Sequence, residues 1–366
     1  MASGRFITSY RSDQRLVRSG WMWFWVGVLV LALLYLPFVL TRRELFGIPL
    51  SYSQMLGMSL VQVNFALIAI IGAVALNLLT GYTGLISIGT SGFFALGAFA
   101  GGLFGVQWGW PFPVVLLLAG VLGALVGGVV GLPSLRVRGL YLLLATLGFH
   151  FIMAYLFLRY QVKYFGPFGI SYDEPDLFGW LVDTDMRWYF FLLVLTVAAI
   201  LVTKNVLRTR EGRAFVAIRD RDVAAASAGV NLSRTKLKSF AFSSFLMSMA
   251  GVLYVYYLGN ASAEIFTLGL AIDFVAMIII GGMGSITGAV FGALLWQLLP
   301  QVISTIQLEL GPDAPVVGEF LQRNSAPLQD VILGLIIILI LVFKPDGLNG
   351  IWVSTKRFFQ RWPYTT

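Results

Sequence analysis

"EGRAFVAIRDRDVAAASAGVNLSRTKLKSF", residues 211–240, is the least lipid-like stretch of a 366-residue chain that is otherwise almost continuously apolar. The rest of the composition frames it: 58% of residues are hydrophobic and 11% charged, with a mean hydropathy of +0.85. A soluble domain carries about 25% charged residues. So few charges cannot coat a soluble core, and the length is read as one bundle of spanning helices, not as two soluble domains. There is no cysteine and a single histidine, His150, which excludes disulfides, thiolate chemistry and a histidine-based metal cluster. The net charge of +8 lies beside apolar runs, where membrane topology explains it better than nucleic-acid binding does.

The first apolar run, Trp21–Leu40, follows Arg5, Arg11, Arg15 and Arg18 and has no small-residue cleavage site, so it reads as an uncleaved first span. Further apolar runs fall near 58–80, 85–106, 112–132, 139–158, 188–207, 239–258, 268–282, 286–304 and 328–343. The expected fold is an all-α polytopic membrane protein of about ten transmembrane helices, some broken or re-entrant. The short, glycine-interrupted runs at 268–282 and 286–304 are the candidates for a broken pair.

With both termini placed inside, the inner segments hold 19 of the 25 Lys and Arg. Four precede the first span, Arg136 and Arg138 add two, nine run from Lys204 to Lys238, and four follow residue 343. The outer segments hold six basic residues and two acidic loops, one with Asp173, Glu174, Asp176, Asp183 and Asp185 and one with Glu309, Asp313 and Glu319. The positive-inside rule then makes both termini cytoplasmic. It divides the chain into a cytoplasmic segment at 1–20, a transmembrane domain at 21–343 with a cytoplasmic loop at about 208–238, and a cytoplasmic tail at 344–366.

The opening stretch is thus the largest cytoplasmic feature. It reads as a helical hairpin: an apolar-faced turn at Ala214–Ile218, Asp220 and Asp222 as N-caps for a helix over Val223–Ala228, and Gly229 as its stop. Asn231 or Ser233 then caps the next span. Ala224, Ala225, Ala226 and Ala228 keep the helix thin, and Arg213, Arg219 and Arg221 ring it with charge, a shape suited to a groove on a partner. A solvated topogenic loop is the alternative.

Glycines at steps of four, Gly97/Gly101/Gly105, Gly123/Gly127/Gly131 and Gly284/Gly288/Gly292, line single helical faces and predict close helix packing. In "TGYTGLISIGTSG" (80–92) and "GGMGSITG" (281–288) glycine interrupts apolar helix beside Tyr82, Thr83, Ser87, Ser285 and Thr287, which with Asn77 and His150 are the candidate lining of a translocation path. Asp273, within "LGLAIDFVAMIII", requires a partner because an isolated carboxylate at mid-bilayer costs about 2.5–3.5 kcal/mol. Its reading is divided between an interhelix tie and a proton relay. Gln62 and Asn64 must also hydrogen bond within the bundle. No Gly-x-x-x-x-Gly-Lys-Ser/Thr, His-Glu-x-x-His or serine–histidine–carboxylate set occurs, so no ATPase or other enzyme site is expected.

At this point a resemblance enters. "GRAFVAIRDRDVAAASAGVNLSRTKLKSFAFSSFLMSMAGVLY" (212–254) resembles the cytoplasmic loop and following span of LivM-type permeases of branched-chain amino acid ABC importers. "NLLTGYTGLISIGTSGFFALGAF" (77–99), "LRVRGLYLLLATLGF" (135–149), "IDFVAMIIIGGMGSITGAVFGA" (272–293) and "FKPDGLNGIW" (343–352) extend the resemblance in order along the chain. It implies a bacterial inner-membrane permease paired with a LivH-like second permease. Two cytoplasmic ATPase subunits would bind ATP and magnesium in its place, and an extracytoplasmic protein would deliver the solute. It also implies that the loop is the coupling helix that docks on the ATPase, through Ala217, Asp220, Asp222, Ala224, Ala225, Ala228 and Gly229 with Arg213 beside them. Two departures bear on the substrate. Family members often carry a carboxylate after the "TLGF"-like stretch where this chain has His150 and Phe151, and the outer loop reads "QVKYFGPFGISYDEPDLFGW". Branched-chain or other amino acids lead, urea and short amides follow, and an ion-coupled secondary transporter using Asp273 is the reading from another class.

Overall fold

The computed structural model describes residues 20–42, 44–45, 48–49, 58–135, 139–177, 179–313, 325–344 and 346–361. Among the described residues there are twelve α-helices, of which all but the seventh and the last lie at the ten apolar runs. They are α1 (Gly20–Arg42), α2 (Leu60–Leu76, running on as a π-wound turn over Asn77–Tyr82), α3 (Thr90–Ala100, with a π-wound extension over Gly101–Gln107), α4 (Phe112–Val130) and α5 (Leu140–Tyr164). Then come α6 (Asp185–Arg208), the hairpin helix α7 (Arg210–Ser227), α8 (Leu232–Leu258), α9 (Leu268–Gly281), α10 (Ile286–Asp313), α11 (Ser325–Phe343) and an amphipathic α12 (Gly347–Arg361). Helices are the natural outcome, since in hydrocarbon every backbone group must be paired within its own segment. Three minimal two-stranded ribbons complete the described residues, one of which, Ile170–Ser171 paired antiparallel with Asn260–Ala261, ties the α5–α6 loop to the α8–α9 loop.

The expectation of ten crossings is met only in part. Among the described residues six helices are long and apolar enough to cross a bilayer: α2 with its π turn, α4, α5, α6, α8 and Ile286–Thr305 of α10. A seventh arises if α11 and the start of α12, bent by 52°, are taken as one span. α9, at 14 residues, is short for a bilayer about 30 Å thick, and α3 with its π-wound extension is not among the six. Arg5, Arg11, Arg15, Arg18, Arg136, Arg138 and Glu319 lie outside the described residues.

The core centres on α2, nine-tenths of whose membrane window is buried. It packs against α6, α8, α9 and α10, while α8 packs along α4 and α3. The stepped glycines make these contacts close. A methyl group at Gly97 would collide with the Ser248 carbonyl, one at Gly251 with the Phe94 carbonyl, and ones at Gly123 and Gly127 with Ser248 and Ser244. Gly281, Gly288 and Gly292 do the same between α9 and α10. Two buried serines bond carbonyls, Ser248 Oγ donating to Phe93 O at 3.0 Å and Ser243 Oγ to Ala75 O at 2.7 Å, while Ser244 Oγ beside Gly127 has no hydrogen-bond partner. Asn64 Nδ2 donates to Asp185 O and to the Tyr257 hydroxyl while its Oδ1 has no hydrogen-bond partner, and Gln62 bonds Gln301.

Candidate functional site

Two ends of the bundle differ in kind. One carries the α7 hairpin, the α2–α3 break, the α9–α10 turn and α12. The other carries the acidic loop.

Thr209 caps α7, its hydroxyl accepting from Gly212 N, and Phe215, Ile218 and Ala225 point inward at helical spacing. The helix is interrupted at Arg221, whose backbone is extended (φ −158°, ψ 105°), so the boundary falls between Asp220 and Asp222. The end is a full Schellman turn: Gly229 takes φ 84°, its N–H donates to Ala226 O, and Val230 N–H donates to Ala225 O, both at 3.0 Å. Of the two candidate caps for α8, it is Asn231 whose side chain accepts, from Arg234 N at 3.0 Å. Glu211 and Lys238 pair across the hairpin. Arg213, Asp220, Ala224, Ala228 and Gly229 are exposed, Ala217 and Asp222 are half-buried, and Val223 is 70% exposed. Ala225, at 4% exposure, faces its own chain, so the expectation that it meets a partner is corrected: the inward stripe at 215, 218 and 225 takes it.

Where α7 meets the bundle, two broken helices converge. Asn77 sits in the π-wound end of α2; its Oδ1 accepts from Gly284 N and its Nδ2 donates to Ser285 O, each at 2.8 Å. Arg219 of α7 donates through Nη1 to Gly81 O at 2.6 Å. The contact tolerates no side chains: a methyl at Gly81 would strike Asn77, one at Gly284 would strike the Arg219 guanidinium, and one at Gly84 would lie 3.3 Å from Arg219 Cα. Gly84 and Gly284 also hold φ of 74° and 79°, which L side chains resist. Tyr82 bonds the Ile286 backbone near Arg219. Ser285 caps α10 by accepting from Gly288 N at 3.1 Å, and bonds Thr287, which donates to Asn349 Oδ1 of α12 at 2.8 Å. Thr83 donates to Leu78 O and bonds Ser239 of α8 at 2.8 Å. A 120 Å³ cavity adjoins the junction, walled by Thr83, Leu142, Ile218, Arg219, Asp222 and Lys236 among others.

Of the eight candidate path residues, Asn77, Tyr82, Thr83, Ser285 and Thr287 are therefore gathered at this junction. Ser87 lies just beyond it, buried, accepting from Gly89 N at 3.2 Å. His150 is separate, its Nδ1 2.7 Å from Ser91 Oγ and the residue 3% exposed. Asp273 is half-buried in the opposite half of α9 and is engaged there. Sequence reasoning treated Arg219 only as ring charge and missed its contact, because three arginines in nine residues carry no mark of which one turns inward.

The opposite end holds a 550 Å³ cavity between Gly105–Phe112 and the α5–α6 loop, lined by Trp110, Phe112, Tyr256, Asp173, Glu174 and Asp176 among others. Tyr172 anchors that loop with its hydroxyl on Ala98 O at 2.9 Å, and burial pushes its phenol well above the ordinary tyrosine range. Among the described residues no cluster of His, Asp and Glu could hold a metal.

Apolar helices long enough to span, glycine-tight interhelix contacts and a hairpin keyed into the junction of two broken spans define a multi-pass membrane protein. Residues 58–341 match the family described as "Branched-chain amino acid transport system / permease component". The chain belongs to that family. It is 31% identical over 309 residues to the high-affinity branched-chain amino acid transport system permease protein LivM of Salmonella typhimurium, covering 78% of this chain and 68% of the relative. The LivM protein of Escherichia coli K12 is 30% identical over the same shares, and the probable LivM of Methanocaldococcus jannaschii is 28% identical over 64% of this chain and 67% of its own. No solved structure matches.

Proposed function

We propose that this chain is the LivM-type permease subunit of an ATP-driven importer in the bacterial inner membrane, working beside a LivH-like second permease. In this reading both termini and α7 are cytoplasmic. Two ATPase subunits bind ATP and magnesium, and this chain has no ATPase site of its own. A solute-binding protein docks at the acidic end, and branched-chain or other amino acids are the cargo. The observation that carries it is the build of α7: an inward stripe anchored in the bundle and an outward face of Val223, Ala224, Ala226, Ser227 and Ala228, narrow enough to lie in a groove. A loop that only set topology would need charge, not a Schellman-terminated helix seated on two span ends.

The domain division follows: a short cytoplasmic lead at 1–20, the permease domain at 21–343 with its coupling loop at about 208–238, and the tail at 344–366. In the path, Asn77 ties the span ends, and Ser87, Thr83 and His150 supply hydroxyls and an imidazole along a route with few charges. Asp273 ties helices in this reading, since ATP-driven transport needs no ion gradient.

The test is reconstitution of the chain with the second permease, the ATPases and the binding protein in vesicles, measuring uptake of labelled leucine, alanine, urea and acetamide. ATP-dependent uptake of an amino acid supports the reading, and selective uptake of urea or acetamide moves the cargo to that class. Uptake that follows a pH gradient, ignores ATP and is abolished by Asp273→Asn overturns it.

A further inference from the structure

We infer that Arg219 is a positioning residue: a removable pin that holds α7 on the end of α2, packed over Gly284 of the α9–α10 turn, and that withdraws into the adjoining cavity, toward Asp222, when the segment beyond Arg221 moves. This rests on the reading of α7 as the ATPase-docking element and names the residue through which that element would act.

Four observations carry it. The last carbonyls of a helix lack intrahelical donors and hold partial negative charge, and here a donor from 138 residues away supplies one of them, at Gly81. A side chain at Gly84 or Gly284 would run into Arg219, so glycine at both positions is what lets the arginine lie there. The extended backbone at Arg221 separates the helix carrying the pin from the outward-facing 223–228 segment, a joint at which displacement of one need not unfold the other. The 120 Å³ cavity beside Arg219 offers space and, in the Asp222 carboxylate, a second acceptor. A partner that holds the outward segment in one of two positions then favours one of two arginine positions, which is all that coupling requires. With the pin out, the Asn77 bonds to Gly284 and Ser285 and the Tyr82 bond to the Ile286 backbone still hold the two span ends together.

The experiment has an arm without the ATPase. The chain has no cysteine, so Ile86→Cys and Val216→Cys, at exposed positions on either side of the junction, accept spin labels in lipid nanodiscs. The expected distance distribution is single and narrow with Arg219 present, and broad or bimodal in Arg219→Ala. Gly284→Ala, which keeps the arginine but fills its slot, should reproduce the broadening. In the reconstituted importer Arg219→Ala should retain the ATPases in a pull-down and keep basal hydrolysis, while solute-stimulated hydrolysis and uptake fall about tenfold or more, in the range of ordinary coupling energies. Arg219→Lys should recover part of both, because an ammonium reaches one carbonyl but lacks the planar fork. An unchanged distance distribution in Arg219→Ala overturns the pin, as does full stimulation, or loss of the ATPases with the distance unaltered. If the unsubstituted chain retains no ATPase, the docking reading fails, and the label distances still decide whether Arg219 locks the junction.

Discussion

Glycine does two different jobs in this protein. Between α4, α3 and α8, Gly97, Gly123, Gly127 and Gly251 bring helices into close contact, and Ser248 and Ser243 close their hydroxyls on carbonyls. At the α7 junction Gly81, Gly84 and Gly284 bring broken helix ends together around a long, solvent-reached arginine, with a cavity alongside. The mid-bundle contact depends on dispersion over a close-packed face, which has one good arrangement. The junction depends on a few directional hydrogen bonds, which can be exchanged for others at small net cost.

That contrast can be broken in several places. The largest effect is expected at Gly97→Val, whose side chain must displace the Ser248 backbone. It should destabilise the chain by about 3 kcal/mol, seen as a lower detergent unfolding temperature and a reduced folded fraction on size exclusion. A variant as stable as the parent would show the mid-bundle face to be adaptable after all. Asn77→Ala should cost about 1–3 kcal/mol by leaving the Gly284 N–H and Ser285 carbonyl short of a partner, with uptake falling further than stability does. Equal losses in both would make Asn77 a simple brace.

The paired substitutions Ala225→Trp and Ala224→Trp separate the two sides of α7. The first, facing inward, should destabilise the chain itself by about 1–3 kcal/mol. The second, facing out, should leave stability intact and weaken retention of the ATPases in a pull-down. Gly229→Val forces a β-branched residue to φ 84°, at a cost of about 1 kcal/mol or more, and should loosen the Schellman end with the same pull-down readout as Ala224→Trp. The smallest effect is expected from neutralising Asp173, Glu174 and Asp176 at the opposite end. Stability should not change, and the initial uptake rate should drop a few-fold at low salt and recover at high salt, as for charge-steered encounter. A salt-independent loss would mean that these carboxylates line the solute's own route.

Much of this was legible beforehand because the bilayer leaves few options. Runs of about 20 apolar residues marked the places of the helices, and steps of four glycines marked which faces touch. The number of true crossings was less legible, because the short apolar run at 268–282 reads alike for a short span and for one arm of a re-entrant pair, and hydropathy carries no sign of the 52° bend between α11 and α12. The inward turn of Ala225 was hidden by four similar alanines within five residues, whose facing depends on where the kink at Arg221 resets the helical phase.

The sequence by itself determined the class of protein, the tight glycine faces, the helix stop at Gly229 with the Asn231 cap after it, and the family, since all of these are local patterns or follow from the chemistry of a lipid solvent. Only the tertiary structure decided that the breaks at 80–92 and 281–288 meet, that Asn77 holds them, and that Arg219 and not Arg213 or Arg221 reaches between them. Those contacts join residues 138 to 208 positions apart. They depend on which helix ends the packing of the whole bundle brings to one place, which no local stretch encodes.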